Sequence, residues 1–561
     1  MKPRGVIGLG AMRATTAFNL AQDAANGQEK VSDMGSLRVG GALDKKSSDG
    51  AQSKFPILLI ASFVSSLSAL DMNIVGVSLP PIARSLNASF ADIEWVVSAY
   101  ILPFAALLLA SGSFADRHGR KRLMLIGLVV FTAASVLCGL STSALMLNLS
   151  RALQGIGASL TLPAALAVIN HAFPGAERAK AYAFWGACLG VAITAGPIIG
   201  GLITTFFGWR WVFLVNLPVC AVLIVATLRV ISESRDYEAK RLDLAGIVTF
   251  TSGLFFLIWA LIDGNALGWT TMAILGRLAT AACLLGLFVV AEVRQERPMV
   301  DFSLFRRSTF LGSTFAMLGY AGAAQVMIFY LPLYLQNAYE FDPAWAGVAM
   351  LPFALPMFLT PRLVGAKLAS HYSGRTLLTA GLLITLAGNL LLSACAAATL
   401  SYGAFLVGMI VAGTGAGLLN GETVKVMQGA APPQRGGMVS GVIATVRFTG
   451  LLVFVAGLGS VLSHVAVRGF APAAARLGLG QDLAQNLARR IISGDLVGAL
   501  SQAPIGIRGE LEVVGTAVFA DGFAAASLAA AAIAMVCATL TLVLVRSSET
   551  QAMHSIASAM E

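Results

Sequence analysis

Fourteen runs of roughly 20 apolar residues follow one another from Pro56 to Val545, and a helix of that length crosses a ~30 Å hydrocarbon core. Their spacing predicts spans at 56–80, 94–114, 123–142, 145–170, 181–206, 211–231, 242–263, 270–293, 308–336, 344–368, 376–398, 402–427, 436–465 and 521–546. The runs do not alternate, which excludes a transmembrane barrel built from segments of ~10 residues. Only 12% of the 561 residues are charged and 57% are hydrophobic, against about 25% charged in a soluble domain. An all-α polytopic membrane protein is the expected fold class. The even number of crossings puts both chain ends on one side.

The chain repeats itself. Gly112-Ser-Phe-Ala-Asp116-Arg117-His-Gly119-Arg120-Lys121-Arg122 is a basic hairpin wedged between two apolar runs, and a weaker copy begins 254 positions on, at Ala366-Lys-Leu-Ala-Ser370-His371. Ala115, Leu123 and Gly127 meet Ala369, Leu377 and Gly381, and Leu102-Pro103-Phe104-Ala105 is echoed by Leu351-Pro352-Phe353-Ala354. Internal symmetry of this kind marks transporters built from repeats. It pairs the first six runs (55–231) with the last six (301–546) and leaves 232–300 as an inserted two-helix hairpin. Residues 466–520 read as an external connection with helical-looking Ala-rich stretches, 1–54 as a disordered cytoplasmic tail and 547–561 as a second cytoplasmic tail.

The net charge of +10 is not a nucleic-acid footprint, because it is dealt into alternate short loops. Arg117, Arg120, Lys121 and Arg122 occupy one, Arg178 and Lys180 another, and Arg229, Arg235, Lys240 and Arg241 a third. The positive-inside rule places those loops, and both termini, in the cytoplasm. The six cysteines fall inside apolar runs without metal-ligand spacing and read as small packing residues. Val6-Ile-Gly8-Leu-Gly10 begins like a dinucleotide turn, but Arg13 stands where the third glycine belongs. There is no GxxxxGK[ST] loop for ATP.

Five motifs carry a resemblance. The hairpin is one; the others are Leu70-Asp71-Met-Asn73 through Leu79-Pro80, Arg151-Ala-Leu-Gln154-Gly155-Ile-Gly157-Ala158, Gly190…Gly196-Pro197-Ile-Ile-Gly200-Gly201, and Gly208-Trp209-Arg210-Trp211 through Asn216-Leu-Pro218. In this order they resemble the major facilitator superfamily and, within it, the fourteen-helix drug:proton antiporters. The resemblance implies two six-helix bundles plus the insert, working by alternating access in the inner (plasma) membrane. It implies no catalysis and no cofactor, with the proton gradient as energy source. The cargo would be small, amphipathic, hydrophobic or cationic toxic compounds. Protons and the lipid bilayer would be the other partners, with a periplasmic adaptor protein as in some relatives. Rival readings are an exporter of one metabolite or lipid, a proton-linked importer, and a membrane sensor that binds without moving its ligand.

Physical chemistry gives these residues roles. Gly112 and Gly119 permit a tight turn, Arg117 and Arg120 anchor helix ends at an anionic surface, and Asp116, as the resemblance implies, can lock one conformation from a helix N-terminus, with a topogenic charge cluster as the alternative. Gly186, Gly190, Gly196 and Gly200 strip one helix face of side chains, Pro197 favours a kink, and Gly201 extends the stripe. Asp71 and Arg151 stand alone among apolar residues. Such groups are costly and face a cavity or a partner. They are the candidates for proton coupling, with structural pairing as the alternative. Arg447 and Glu422 are secondary candidates, and Lys425 lies at helical pairing distance from Glu422. No metal site is expected.

Overall fold

The computed structural model describes residues 54–174, 176–235, 243–295, 300–431, 436–493 and 495–547. The expected tails at 1–53 and 548–561 lie outside them. The described residues form helices and no strand, and fourteen of the helical segments are long and apolar enough to cross a membrane. Span 1 is Phe55–Ile74, continued through Gly76–Ser78 into Leu79–Leu86; spans 2 to 5 are Phe90–His118, Arg120–Gly139, Ala144–Ala172 and Ala176–Phe207. Span 6 joins Arg210–Leu214 to Asn216–Val230, and spans 7 and 8 are Leu244–Leu267 and Met272–Arg294. Span 9 runs Ser308–Gly319, Tyr320–Gln325 and Met327–Ala338; span 10 runs Pro343–Ala349, Leu351–Thr360, Pro361–Gly365 and Ala366–His371. Spans 11 to 14 are Gly374–Ala397, Tyr402–Gly429, Gly436–Arg476 and Arg508–Leu544.

Local chemistry sets the ends. Ser89 and Asp92 form a reciprocal capping box at span 2, Ser143 caps the N–H of Met146 at span 4, and Ser373 caps that of Thr376 at span 11. Two interruptions were not anticipated. Span 9 passes through a π turn at Tyr320–Gln325 and span 10 through another at Pro361–Gly365. Such bulges have no apolar signature, although Pro361 removes the N–H that a regular helix needs there.

The repeat is visible in the packing. Gly155 of span 4 lets its helix back onto the carbonyl of Tyr100 in span 2, where any Cβ would collide. Gly413 of span 12 does the same against the carbonyl of Phe353 in span 10. Spans 2 and 4 of the leading bundle thus meet as spans 10 and 12 of the trailing bundle do. The inserted pair closes on itself through Arg277 and Asp263, 2.7 Å apart. Span 7 then packs against both bundles, placing Phe255 5.8 Å from Trp95 of span 2 and Asn265 Nδ2 2.9 Å from Ser460 Oγ of span 13.

Residues 466–520, expected as a connection, are mostly helix. Span 13 continues to Arg476, span 14 starts at Arg508, and Gln481–Ile492 and Leu496–Gln502 fold between them. Leu483, Leu487 and Ile491 recur at helical spacing and pack on Phe470, Leu511 and Val518, giving this cap a small core of its own. Gly478 turns the chain with φ +65°. Arg490 pairs with Asp495 at 2.6 Å and also reaches Asn87 Oδ1, in the turn between spans 1 and 2.

Candidate functional site

Inside the leading bundle one carboxylate gathers three donors from two helices, spans 4 and 6. Arg151 Nη1 donates to Asp71 Oδ2 at 2.6 Å; Gln154 Nε2 and Asn216 Nδ2 donate to Asp71 Oδ1 at 2.8 and 2.7 Å. Arg151 Nη1 also donates to Gln154 Oε1 at 2.8 Å, and its Nε donates to the Val96 carbonyl at 3.2 Å. Gln154 Nε2 donates to Ser135 Oγ at 3.0 Å. The guanidinium lies 4.2 Å from the centroid of the Tyr100 ring, and the Tyr100 hydroxyl donates to the Ser68 carbonyl at 3.2 Å. Asp71 and Arg151 are each 1% exposed. Spans 1, 2, 3, 4 and 6 therefore meet at one dry polar knot. Oδ1 accepts two of these bonds and Oδ2 one, so three of the carboxylate's roughly four acceptor sites are taken.

The span-5 glycines serve two surfaces. Gly196 and Gly200 face span 1, where a Cβ would press on Asn73 Cβ at 2.9 Å and on the Ile74 carbonyl. Gly190 and Gly201 face span 10 across the two bundles: a Cβ at Gly190 would lie 2.9 Å from the Phe358 ring, and one at Gly201 would strike the Pro343 carbonyl. Span 10 reciprocates, because Gly347 sits on the carbonyl of Pro197. A Cβ at Gly186 would meet nothing within 4 Å. Nearby, Gln336 Nε2 of span 9 donates to the Val77 carbonyl at 2.8 Å and Gly76 lies against the Ile328 carbonyl. The bundles are closed together at the face away from the basic hairpin.

At the hairpin, Gly119 adopts φ +113°, which excludes a side chain. The carboxylate on the first turn of span 3 belongs to Glu233, from the linker after span 6, which accepts the N–H groups of Lys121 and Arg122. Lys121 Nζ donates to the Leu228 carbonyl at 2.8 Å. Gly112 has only Pro163 Cβ near its Cβ direction, at 3.9 Å. Asp116, Arg117 and the preceding turn are helical; the Asp116 side chain lies outside the described residues.

A family model described as Major Facilitator Superfamily matches residues 61–455. The chain belongs to the Major Facilitator Superfamily. It is 35% identical over 395 residues to the multidrug resistance protein Stp of Mycobacterium tuberculosis, covering 70% of this chain and 73% of that one. It is 32% identical over 435 residues to the methylenomycin A resistance protein of Streptomyces coelicolor, covering 76% and 90%. A solved bacterial homolog of the human lysosomal transporter Spinster, described as inward-facing and unoccupied, shares the fold at TM-score 0.56 and 16% identity, over 90% of this chain and 99% of that one. This superfamily member is a multi-pass membrane transporter.

In the trailing bundle, Arg447 Nε donates to Gln325 Oε1 at 2.9 Å and its Nη2 to the Tyr320 hydroxyl at 3.2 Å, so both partners lie on the π turn of span 9. Glu422 is buried and takes Lys425 Nζ at 2.6 Å, one helical turn away. The cysteines are free among the described residues, and no group of three or more His, Cys, Asp or Glu residues is placed to hold a metal. Sequence reasoning paired Asp71 with Arg151 but passed over Gln154, Asn216 and Ser135. The first two stand within quoted motifs, and a buried Asn or Gln in a span was the signal.

Proposed function

We propose that this superfamily member exports small amphipathic, hydrophobic or cationic toxic compounds in exchange for protons, by alternating access of its two bundles. The observation that carries this reading is the buried Asp71–Arg151 pair with both carboxylate oxygens occupied. A charge so far inside a span is costly and is retained where it does work. Protonating Asp71 would weaken its charge-assisted bonds and loosen span 1 from spans 4 and 6. Two residues on, Asn73 and Ile74 rest on Gly196 and Gly200 of span 5. The opposite side of span 5 holds the closed seam with span 10 through Gly201 and Gly347. A change at the carboxylate thus has a contiguous packed route to the seam.

The alternate basic loops support an inner-membrane orientation with both termini in the cytoplasm. Energy would come from the proton gradient and no bound cofactor; a periplasmic adaptor is a further proposed partner. The Stp name supports a broad cargo range, and the methylenomycin A name favours the second reading, an exporter dedicated to one metabolite. The test uses sealed proteoliposomes with an imposed pH gradient and a panel of cationic dyes and neutral antibiotics. Gradient-driven accumulation of several unrelated compounds is expected. Accumulation of one compound only selects the second reading, and binding without accumulation removes both.

A further inference from the structure

Besides Asp71 and Glu422, a further carboxyl group lies buried in the membrane, at Glu94. Glu94 stands one turn into span 2, 6% exposed, and its Oε1 has no hydrogen-bond partner among the described residues. It sits where the two bundles meet. Its neighbours around a cavity of about 20 Å³ are Leu79 of span 1, Ile93 and Val97 of its own helix, Phe329 and Tyr330 of span 9, and Val455 of span 13. Gly459, one turn along span 13, leaves room for it: a Cβ there would run into Glu94 Oε1 and would lie 2.5 Å from the Tyr330 hydroxyl.

The charged and titratable groups around Glu94 do not neutralise it. Tyr330 faces it from span 9 but donates its hydroxyl hydrogen to the Val455 carbonyl. Span 7 contributes the like charge of Asp263, itself held by Arg277 at 2.7 Å. Span 13 presents Val455 and Gly459, and span 1 presents Leu79. Within span 2, Asp92 is committed to Ser89. In the cap, Arg490 is committed to Asp495 and Asn87. Contrast Asp71, which takes an arginine and two amides. A carboxylate without a cation in such a place costs several kcal/mol or more. It therefore demands a positive counterpart from outside the fold.

We propose that Glu94 is a cation-exchange site between the bundles, which holds either a proton or the cationic centre of a cargo molecule and cannot hold both. The proposal rests on the export reading and gives it a cargo class, monovalent organic cations. In the closed state the cavity admits about one water, enough for a proton path and far too small for a cargo. Parting of spans 2 and 13 at Gly459 would open the same carboxyl to a larger cation. The aromatic rings of Phe90 and Phe329 beside it suit a delocalised positive charge. Competition at one oxygen pair would make the exchange obligatory without a wire to Asp71.

The test is equilibrium binding of tetraphenylphosphonium to the full chain in lipid nanodiscs, without any gradient, on raising the pH from about 6 to about 8. Binding by the unaltered protein should tighten with pH, because deprotonation frees the carboxylate. Glu94→Gln should weaken it by about tenfold at the upper pH and flatten the pH dependence, while a neutral antibiotic binds unchanged. Gly459→Ala, which pushes a methyl group onto the carboxyl, should have the same two effects and serves if Glu94→Gln does not fold. Unchanged affinity and unchanged slope in either folded variant overturn the site. A binding effect together with absent proton exchange in vesicles would sink the export reading and leave the site standing. Normal exchange by a Glu94→Gln protein with normal binding would do the reverse.

Discussion

Glu233 accepts the backbone N–H of Lys121 at 3.1 Å and that of Arg122 at 3.2 Å, across 112 and 111 residues of chain. The linker that leaves the leading bundle thus returns to cap the helix that begins at the basic hairpin, where exposed N–H groups and the helix dipole favour an anion. Removing it with Glu233→Ala should cost about 1 kcal/mol, typical of a lost cap. The expected readout is a lower melting temperature of the purified protein and faster labelling of a cysteine placed at Lys121. An unchanged melting temperature and unchanged labelling would mean the cap is idle. Asp116→Asn in the same hairpin should slow transport and leave cargo binding intact, whereas a change at Ser370, its counterpart in the second copy, should be tolerated.

Asp71→Asn leaves the Arg151 guanidinium buried without its counter-charge, a loss on the order of 3–5 kcal/mol. Arg151→Lys keeps the charge but gives up the planar fork that reaches Gln154 and the Val96 carbonyl together. The double change Asp71→Asn with Arg151→Gln separates structure from coupling. If the pair is only structural, the double variant should recover both stability and gradient-driven transport; if it carries coupling, stability returns and transport does not. Melting curves and vesicle transport on the same preparations decide.

Gly201→Ala and Gly347→Ala each aim a methyl group at a proline carbonyl on the facing helix, and backbone cannot step aside as a side chain can. Transport should fall by about tenfold or more, with cross-linking between spans 5 and 10 reduced. Gly186→Ala, on the same helix where the added methyl group would meet nothing within 4 Å, should transport normally. Equal effects at all three positions would remove the seam from the argument.

A tag after Met1 and one after Glu561 should both be reached only from the cytoplasm. Cysteines introduced on the helix Gln481–Ile492 should react with an impermeant thiol reagent from the other side. Labelling of that helix from the cytoplasm would invert the orientation.

Spans were legible because apolar length is a strong local signal, and Asp71 and Arg151 were legible because a charge inside such a run has few ordinary explanations. What stayed hidden depends on distant partners. Glu233 sits in a polar linker where a carboxylate draws no notice until the hairpin folds against it. Glu94 precedes Trp95 near a helix start and reads as an ordinary N-terminal acid, although Asp92 does the capping. The 466–520 connection looked helical in places, but its helix Gln481–Ile492 is too polar and short to register as a span, and its packing stayed hidden because its apolar stripe finds its partners on the far ends of spans 13 and 14. The glycines of span 5 announced close packing without saying that Gly196 and Gly200 serve span 1 while Gly190 and Gly201 serve span 10.

The position of the inserted pair makes the molecule unequal toward the lipid. Two seams run between the bundles. Span 7 stands across the one between spans 2 and 13, held by Trp95, Phe255 and the Asn265–Ser460 bond. Together with span 8 and the Val300–Phe305 segment it walls off an apolar cavity of about 160 Å³ beside Val442, Thr445 and Val446. Among the described residues the seam between spans 5 and 10 carries no such cover, and Val191, Leu202, Leu355 and Leu359 lie exposed on those two helices. The insert therefore gives the two seams different neighbours, protein at one and the bilayer at the other.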